Sequence, residues 1–196
     1  MTTQPISLPG QPDPAVPQRV YVTGMYLALA GILMFFTALI SAWVVRRGLS
    51  TSNLEARLEL PRALLGLNTF LLLASSAALE IARRGLRADR PETFRRWWYA
   101  TSVLGIAFLV GQIFAWRAMA GTGIFVASNP DASFFYLFTA VHGVHLLGGI
   151  TALLIAATRN LRHMALATAA RVAGLYWHFL TALWCAIFVL LMVGGR

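Results

Sequence analysis

The sequence predicts an all-α membrane protein, a bundle of five transmembrane helices with little chain left for a soluble domain. Three observations carry that prediction. Of the 196 residues, 58% are apolar and 12% are charged, against about 45–50% and about 25% in an ordinary soluble domain; mean hydropathy is +0.68. The apolar residues fall into five long runs, each able to cross a hydrocarbon core that takes roughly 20 helical residues. The charges lie almost entirely between those runs. Together these exclude a soluble globular domain, a disordered chain and a disulfide scaffold. Backbone groups in lipid must pair within their own segment, so each run is helical.

The elements follow in order. Residues 1–19 hold Pro5, Pro9, Pro12, Pro14 and Pro17 and lack a basic start followed by an apolar core. They read as a disordered, Pro-rich cytoplasmic tail rather than a cleaved signal peptide. Residues 20–196 are the transmembrane domain. Its first helix is expected over about 20–45, uncharged between Arg19 and Arg46. The second spans about 61–82 and opens on Pro61, whose missing N–H costs nothing in a first turn. The third spans about 97–116 and starts with Trp97, Trp98 and Tyr99, a set suited to the membrane interface. The fourth and fifth span about 132–158 and 172–193. The spans differ too much in composition for an internal repeat.

The net charge is +9, from 16 basic and 7 acidic residues. Every basic residue is arginine. No basic run interleaved with aromatics stands out as a nucleic-acid surface, so no nucleic-acid partner is expected. Arginines instead mark cytoplasmic loops and anionic lipid surfaces. The loop between the second and third spans is the densest, with Arg83, Arg84, Arg87, Arg90, Arg95 and Arg96. Placing it inside puts the N-terminus in the cytoplasm and the C-terminus in the periplasm.

Few residues in the spans carry chemistry. Cys185 is alone, so there is no internal disulfide, no CxxCH haem attachment and no two-cysteine copper centre. Glu80 precedes Arg83 and Arg84 by three and four residues, on one helix face, which predicts an ion pair near the cytoplasmic end of the second span. The spans hold no other carboxylate, which argues against a proton or solute transporter and against a non-haem metal site. His142 and His145 share a face of the fourth span. His145 and His178 are expected at similar depth, where they would bridge the fourth and fifth helices or bond a backbone carbonyl. Two histidines at one depth also suit a b-type haem, and spacing alone leaves both readings open.

Five stretches, one in each span, resemble a known family. Tyr26–Ala30 with Met34–Phe36, and Leu67–Asn68–Thr69–Phe70–Leu71–Leu72–Leu73–Ala74–Ser75–Ser76, lie in the first two spans. Leu104–Gly105, Phe108 and Gln112 lie in the third. Phe134–Phe135–Tyr136–Leu137–Phe138–Thr139–Ala140–Val141–His142–Gly143–Val144–His145 and Tyr176–Trp177–His178–Phe179–Leu180 with Trp184 lie in the last two. In this order the stretches are similar to subunit III of the haem-copper respiratory oxidases, in its short five-helix form. Asn68, Gln112, His142, His145, Trp177, His178 and Trp184 are the motif residues.

The resemblance implies a non-catalytic, lipid-binding core subunit of a terminal oxidase in a bacterial cytoplasmic membrane. Such a complex reduces oxygen to water in aerobic electron transport and translocates protons, with cytochrome c or quinol as donor. The implied partners are oxidase subunit I and other oxidase subunits, membrane phospholipids and a possible respiratory supercomplex. No haem, copper or other metal is expected in this chain, and no catalytic residue; phospholipid is the bound molecule. Arg159, fourteen residues after His145, stands where the family places a phosphate-contacting arginine, and His163 follows it by four. The alternatives are an accessory subunit of nitric oxide reductase and, in another class, a haem-b electron carrier. The chain departs from the family at four usual carboxylate positions: Gly31 and Ile32 replace its Ser–Glu or Ser–Asp pair, and Ala115, Arg171 and Thr181 stand at the other three.

Overall fold

The computed structural model describes residues 18–49, 61–123, 130–158 and 163–194. These form five helices, each long and apolar enough to cross a membrane: α1 (Gln18–Leu49), α2 (Arg62–Arg87), α3 (Pro91–Gly121), α4 (Pro130–Thr158) and α5 (His163–Gly194). There is no strand among the described residues. Residues 1–17, most of the expected tail, lie outside them; Gln18 and Arg19 already belong to α1.

The helices outrun the apolar segments, because hydrophobicity stops at the membrane surface while backbone hydrogen bonding does not. α3 starts at Pro91, a first-turn proline, six residues before Trp97, and its exposed first turn is braced by an Arg95–Glu92 pair. α5 starts at His163, nine residues before Val172. The intervening Ala165, Leu166, Ala167, Ala169 and Ala170 are strong helix formers, so Arg171 sits within the helix rather than in a loop.

α2 and α3 meet through a tight hairpin. Asp89 adopts the left-handed conformation with φ 53°, which a short polar side chain tolerates. The N–H groups of Asp89 and Arg90 then return to the carbonyls of Leu86 and Gly85, at 3.3 and 2.9 Å. That pattern closes a helix C-terminus by satisfying its last carbonyls. Pro91 immediately starts the next helix.

Cross-helix pairs fix the arrangement. Ser75 and Asn68 of α2 meet Thr101 and Gln112 of α3. Trp98 and Trp116 of α3 meet Leu153 and Thr139 of α4. Thr69 and Ser75 of α2 meet Trp184 and Trp177 of α5. In each case the partners move backward along one helix as they advance along the other, so these neighbours run antiparallel. α2, α3, α4 and α5 close into a ring, in which α5 touches α2 and α4. α1 lies outside it, against α5 and α4 only, among the described residues. It packs through Leu29, Phe36 and Trp43, spaced seven apart as in a narrow coiled-coil seam. Its C-terminal end is tied to α4 by Arg47–Asp131 at 3.6 Å, with the Arg47 guanidinium 4.8 Å from the Trp43 ring centre.

Large buried side chains fill the ring: Trp98, Trp177 and Trp184 with Phe108, Phe135 and Phe138. Trp177 reaches from α5 across to Gly105 of α3. A Cβ added at Gly105 would lie 2.8 Å from the far edge of that indole and 3.3 Å from Ile150. Trp177 cannot retreat without losing its hydrogen bond to Ser75. Gly105→Ala should therefore destabilise the bundle by about 1–3 kcal/mol, the usual cost of overpacking. Gly31→Ala on α1, where nothing lies within 4 Å, should be neutral. Unfolding of the two variants in mixed detergent measures the difference.

Candidate functional site

Two polar layers interrupt the apolar ring. In the first, Asn68 on α2 donates to Gln112 on α3 at 3.4 Å, both buried. Gly111 lets the Asn68 amide lie directly against the α3 backbone. On the α5 side, Trp184 donates to the Thr69 hydroxyl at 3.0 Å, and that hydroxyl donates in turn to the Leu65 carbonyl at 2.8 Å. A hydroxyl has one proton and two lone pairs, so it passes the indole's hydrogen bond on to the backbone. Ser75 does the same about two turns further along α2, accepting from Trp177 at 3.0 Å and donating to the Thr101 carbonyl at 3.1 Å. This joins α5, α2 and α3.

His142 is wholly buried on α4. Its ring meets Phe108 edge-on at 5.8 Å and Trp184 at a tilt at 5.0 Å between ring centres. Neither of its ring nitrogens, nor Gln112 Nε2, has a hydrogen-bond partner among the described residues. Here His142 packs as an aromatic ring.

The other two motif histidines point apart. His145 Nδ1 donates to the Val141 carbonyl of its own helix at 2.8 Å, and its ring faces Phe36 of α1 at 5.9 Å. His178 Nδ1 is hydrogen-bonded to Ser76 Oγ of α2 at 2.6 Å. The backbone-carbonyl contact expected for His145 is present. The expected bridge between α4 and α5 is made by neither ring: His178 joins α5 to α2, and α4 is tied to α5 by Tyr176, which donates to the His145 carbonyl at 2.8 Å. The reason is rotational. His145 and His178 stand at comparable depth but on helix faces that look toward different neighbours, so they do not present facing imidazoles.

The second polar layer lies at the arginine-rich end. Glu80 accepts from Arg83 at 2.9 Å and Arg84 at 3.4 Å, and it lies 3.5 Å from Arg87. His178 Nε2 approaches the same carboxylate to 3.9 Å. The pairs to Arg83 and Arg84 follow from helical spacing. The link from Ser76 through His178 to Glu80 joins positions about a hundred residues apart, and no local pattern announces it. The departures from the family's carboxylates also find places. Ala115 is sealed in the core, Thr181 returns its hydroxyl to the Trp177 carbonyl at 2.9 Å, and Arg171 lines a cavity beside Arg83. Arg159 lies outside the described residues. His163 opens α5, but its side chain is outside them too.

Among the described residues, no group of three or more His, Cys, Asp or Glu converges as a metal set. The chemistry on offer is helix-to-helix hydrogen bonding and a cluster of guanidiniums around one carboxylate. An interhelical bond of this kind contributes about 0.6 kcal/mol on average and about 1.7 at most in a membrane. His178→Ala and Ser76→Ala should each weaken the bundle within that range. The double variant should cost less than the sum, and strict additivity in a mixed-detergent unfolding cycle would show that the 2.6 Å contact contributes nothing.

Comparison with known proteins gives consistent matches along almost the whole chain. Residues 10–195 match the family described as "Cytochrome c oxidase subunit III". The chain is 31% identical to "Probable cytochrome c oxidase subunit 3" of Nocardia farcinica, over 91% of its own length and 94% of the relative's. It is 31% identical to "Cytochrome c oxidase subunit 3" of Corynebacterium diphtheriae, over 92% and 95%. The protein of the same name from Thermostichus vulcanus is 27% identical, over 89% and 88%.

Proposed function

Because the chain belongs to the cytochrome c oxidase subunit III family, we propose that it packs directly beside the haem-copper subunit I in a bacterial cytoplasmic membrane and carries no redox centre of its own. It is an accessory subunit of a haem-copper oxidase and a multi-pass membrane protein. The family match across residues 10–195 is the observation that carries the reading. The geometry agrees with a supporting role. Polar side chains in the spans are spent on contacts between helices, with Asn68 on Gln112, Trp184 on Thr69 and His178 on Ser76. The outer faces of α1 and α3 are apolar and open, at Leu27, Met34, Val44, Val103 and Phe114. A neighbouring subunit or lipid must cover them. With the arginine-dense end inside, the N-terminus is cytoplasmic and the C-terminus periplasmic.

In this reading, oxygen reduction and proton translocation belong to the assembled complex. This chain's share is to hold phospholipid at the subunit boundary and keep its neighbour in shape. Arg159 and His163 are the residues proposed to hold a lipid phosphate. An arginine at such a surface attracts an anionic headgroup by about 1 kcal/mol, and a bidentate contact with phosphate is stronger.

Two measurements test this. After gentle detergent purification, the chain should come out with a partner that carries haem-ligating histidines and a copper site, while the separated chain should contain no stoichiometric haem, copper or iron. One haem per polypeptide in the separated chain would instead make it an electron carrier. For the lipid role, Arg159→Ala should lower the phospholipid retained by the complex and shorten its working lifetime during turnover, with the initial rate little changed. Equal lipid content and lifetime in the two proteins would reduce Arg159 to a topology signal.

A further inference from the structure

A cavity of about 410 Å³ opens between α2 and α5 at the arginine-rich end of the bundle. Arg83, Leu86 and Arg87 of α2 and Ala167, Ala170 and Arg171 of α5 line it. Three guanidiniums on one small cavity repel each other unless something negative sits among them. The negative group the fold supplies is Glu80, and it is already shared among Arg83, Arg84 and Arg87. Arg171 has no ion pair with any described residue. The cluster therefore sets four guanidiniums against one carboxylate, and the surplus charge points at the cavity.

The site is built rather than incidental. The Arg83 side chain is only 20% exposed and runs across the bare backbone at Gly174 of α5. A Cβ there would come within 2.9 Å of its Cδ, Nε and Cζ. Glycine at this one position lets the guanidinium be held at the cavity wall instead of trailing into solvent. Arg83 spends Nη1 on Glu80, and a guanidinium has five N–H groups, so donors remain. Between the arginines the wall is Leu86, Ala167 and Ala170, small and apolar, with room for more than a bare ion. Planar forks of N–H donors over a partly apolar floor recognise phosphate oxygens bidentately.

We infer that this cavity is a phosphate-binding site formed by Arg83, Arg87 and Arg171, whose ligand is a phosphate ester at the membrane surface or a free phosphate from the water beside it. It lies between α2 and α5 and rests neither on Arg159 and His163 nor on assembly with other subunits. It depends on this chain having Arg171, a position where the family resemblance leads one to expect a carboxylate.

The test is native mass spectrometry of the full chain in neutral detergent, titrated with phosphatidylglycerol, with diacylglycerol of the same acyl chains, or with inorganic phosphate. Phosphatidylglycerol should bind, and diacylglycerol about tenfold more weakly or not at all. Arg171→Ala and Arg83→Ala should each weaken phosphatidylglycerol by about fivefold. Arg84→Ala removes the same charge from a side chain that is 75% exposed and does not line the cavity, and should change binding less than twofold on the same scale. Gly174→Ala should weaken binding without removing any charge, by crowding Arg83. Arg171 is exposed and unpaired, so its variant folds even if Arg83→Ala or Gly174→Ala does not. Inorganic phosphate that binds alone with the same arginine dependence, and displaces phosphatidylglycerol, would identify a soluble ligand; failure to displace it would identify a lipid headgroup; both sustain the site. Equal binding of diacylglycerol, or equal losses in Arg84→Ala and Arg171→Ala, would overturn it.

Discussion

Inside a bilayer a donor without an acceptor has no water to fall back on, and that constraint organises this bundle. Four tryptophans each carry one indole N–H into the helix packing, and each finds its acceptor on a neighbouring helix. Trp98 reaches Leu153, Trp116 reaches Thr139, Trp177 reaches Ser75 and Trp184 reaches Thr69. Two of these bonds tie α3 to α4 and two tie α5 to α2. A slip of one residue between either pair would strand two donors at once, at a cost of several kcal/mol for each group left unpaired in hydrocarbon. The net gain per bond is modest, because the separated helices also find partners. The large penalty for missing is what sets the register.

α1 has no such tether. It adds a single seam, Leu29, Phe36 and Trp43, and one ion pair at its C-terminal end. Only 17% of its most apolar window is buried inside the chain, against 39% for α5. The rest of α1 is apolar surface for lipid or for another protein, as befits a subunit that works inside a larger membrane complex. The spans are also nearly free of charge. No carboxylate chain runs through the described core, and two positions where the family resemblance leads one to expect carboxylates hold Ala115 in close packing and Thr181 bonded to its own helix.

Charge is concentrated instead at one end, where Glu80 gathers Arg83, Arg84 and Arg87 with His178 alongside. Through His178 this arrangement links α2 to α5 at the arginine-rich end of the bundle. The Ser76–His178 bond continues the polar contact inward. One polar seam thus runs along the α2–α5 interface from the Arg83–Gly174 crossing through Ser75–Trp177 to Thr69–Trp184. The α1–α4 and α1–α5 contacts are mostly apolar by comparison.

Composition and run length alone determined the class and the number of spans, because a hydrocarbon slab of set thickness reads hydrophobicity directly. Helical spacing alone predicted the pairing of Glu80 with Arg83 and Arg84, since residues three and four apart must share a face. The helix ends were not legible in the same way: α5 begins at His163, because beyond the membrane surface helix propensity takes over from hydropathy. Nor was the direction of each motif side chain. His145 and His178 lie at comparable depth, as their positions along the spans require, yet one faces α1 and the other α2. Depth depends on distance along one helix, which the sequence contains. Facing depends on how each helix is rotated against its neighbours, and only the packing of the whole ring decides that.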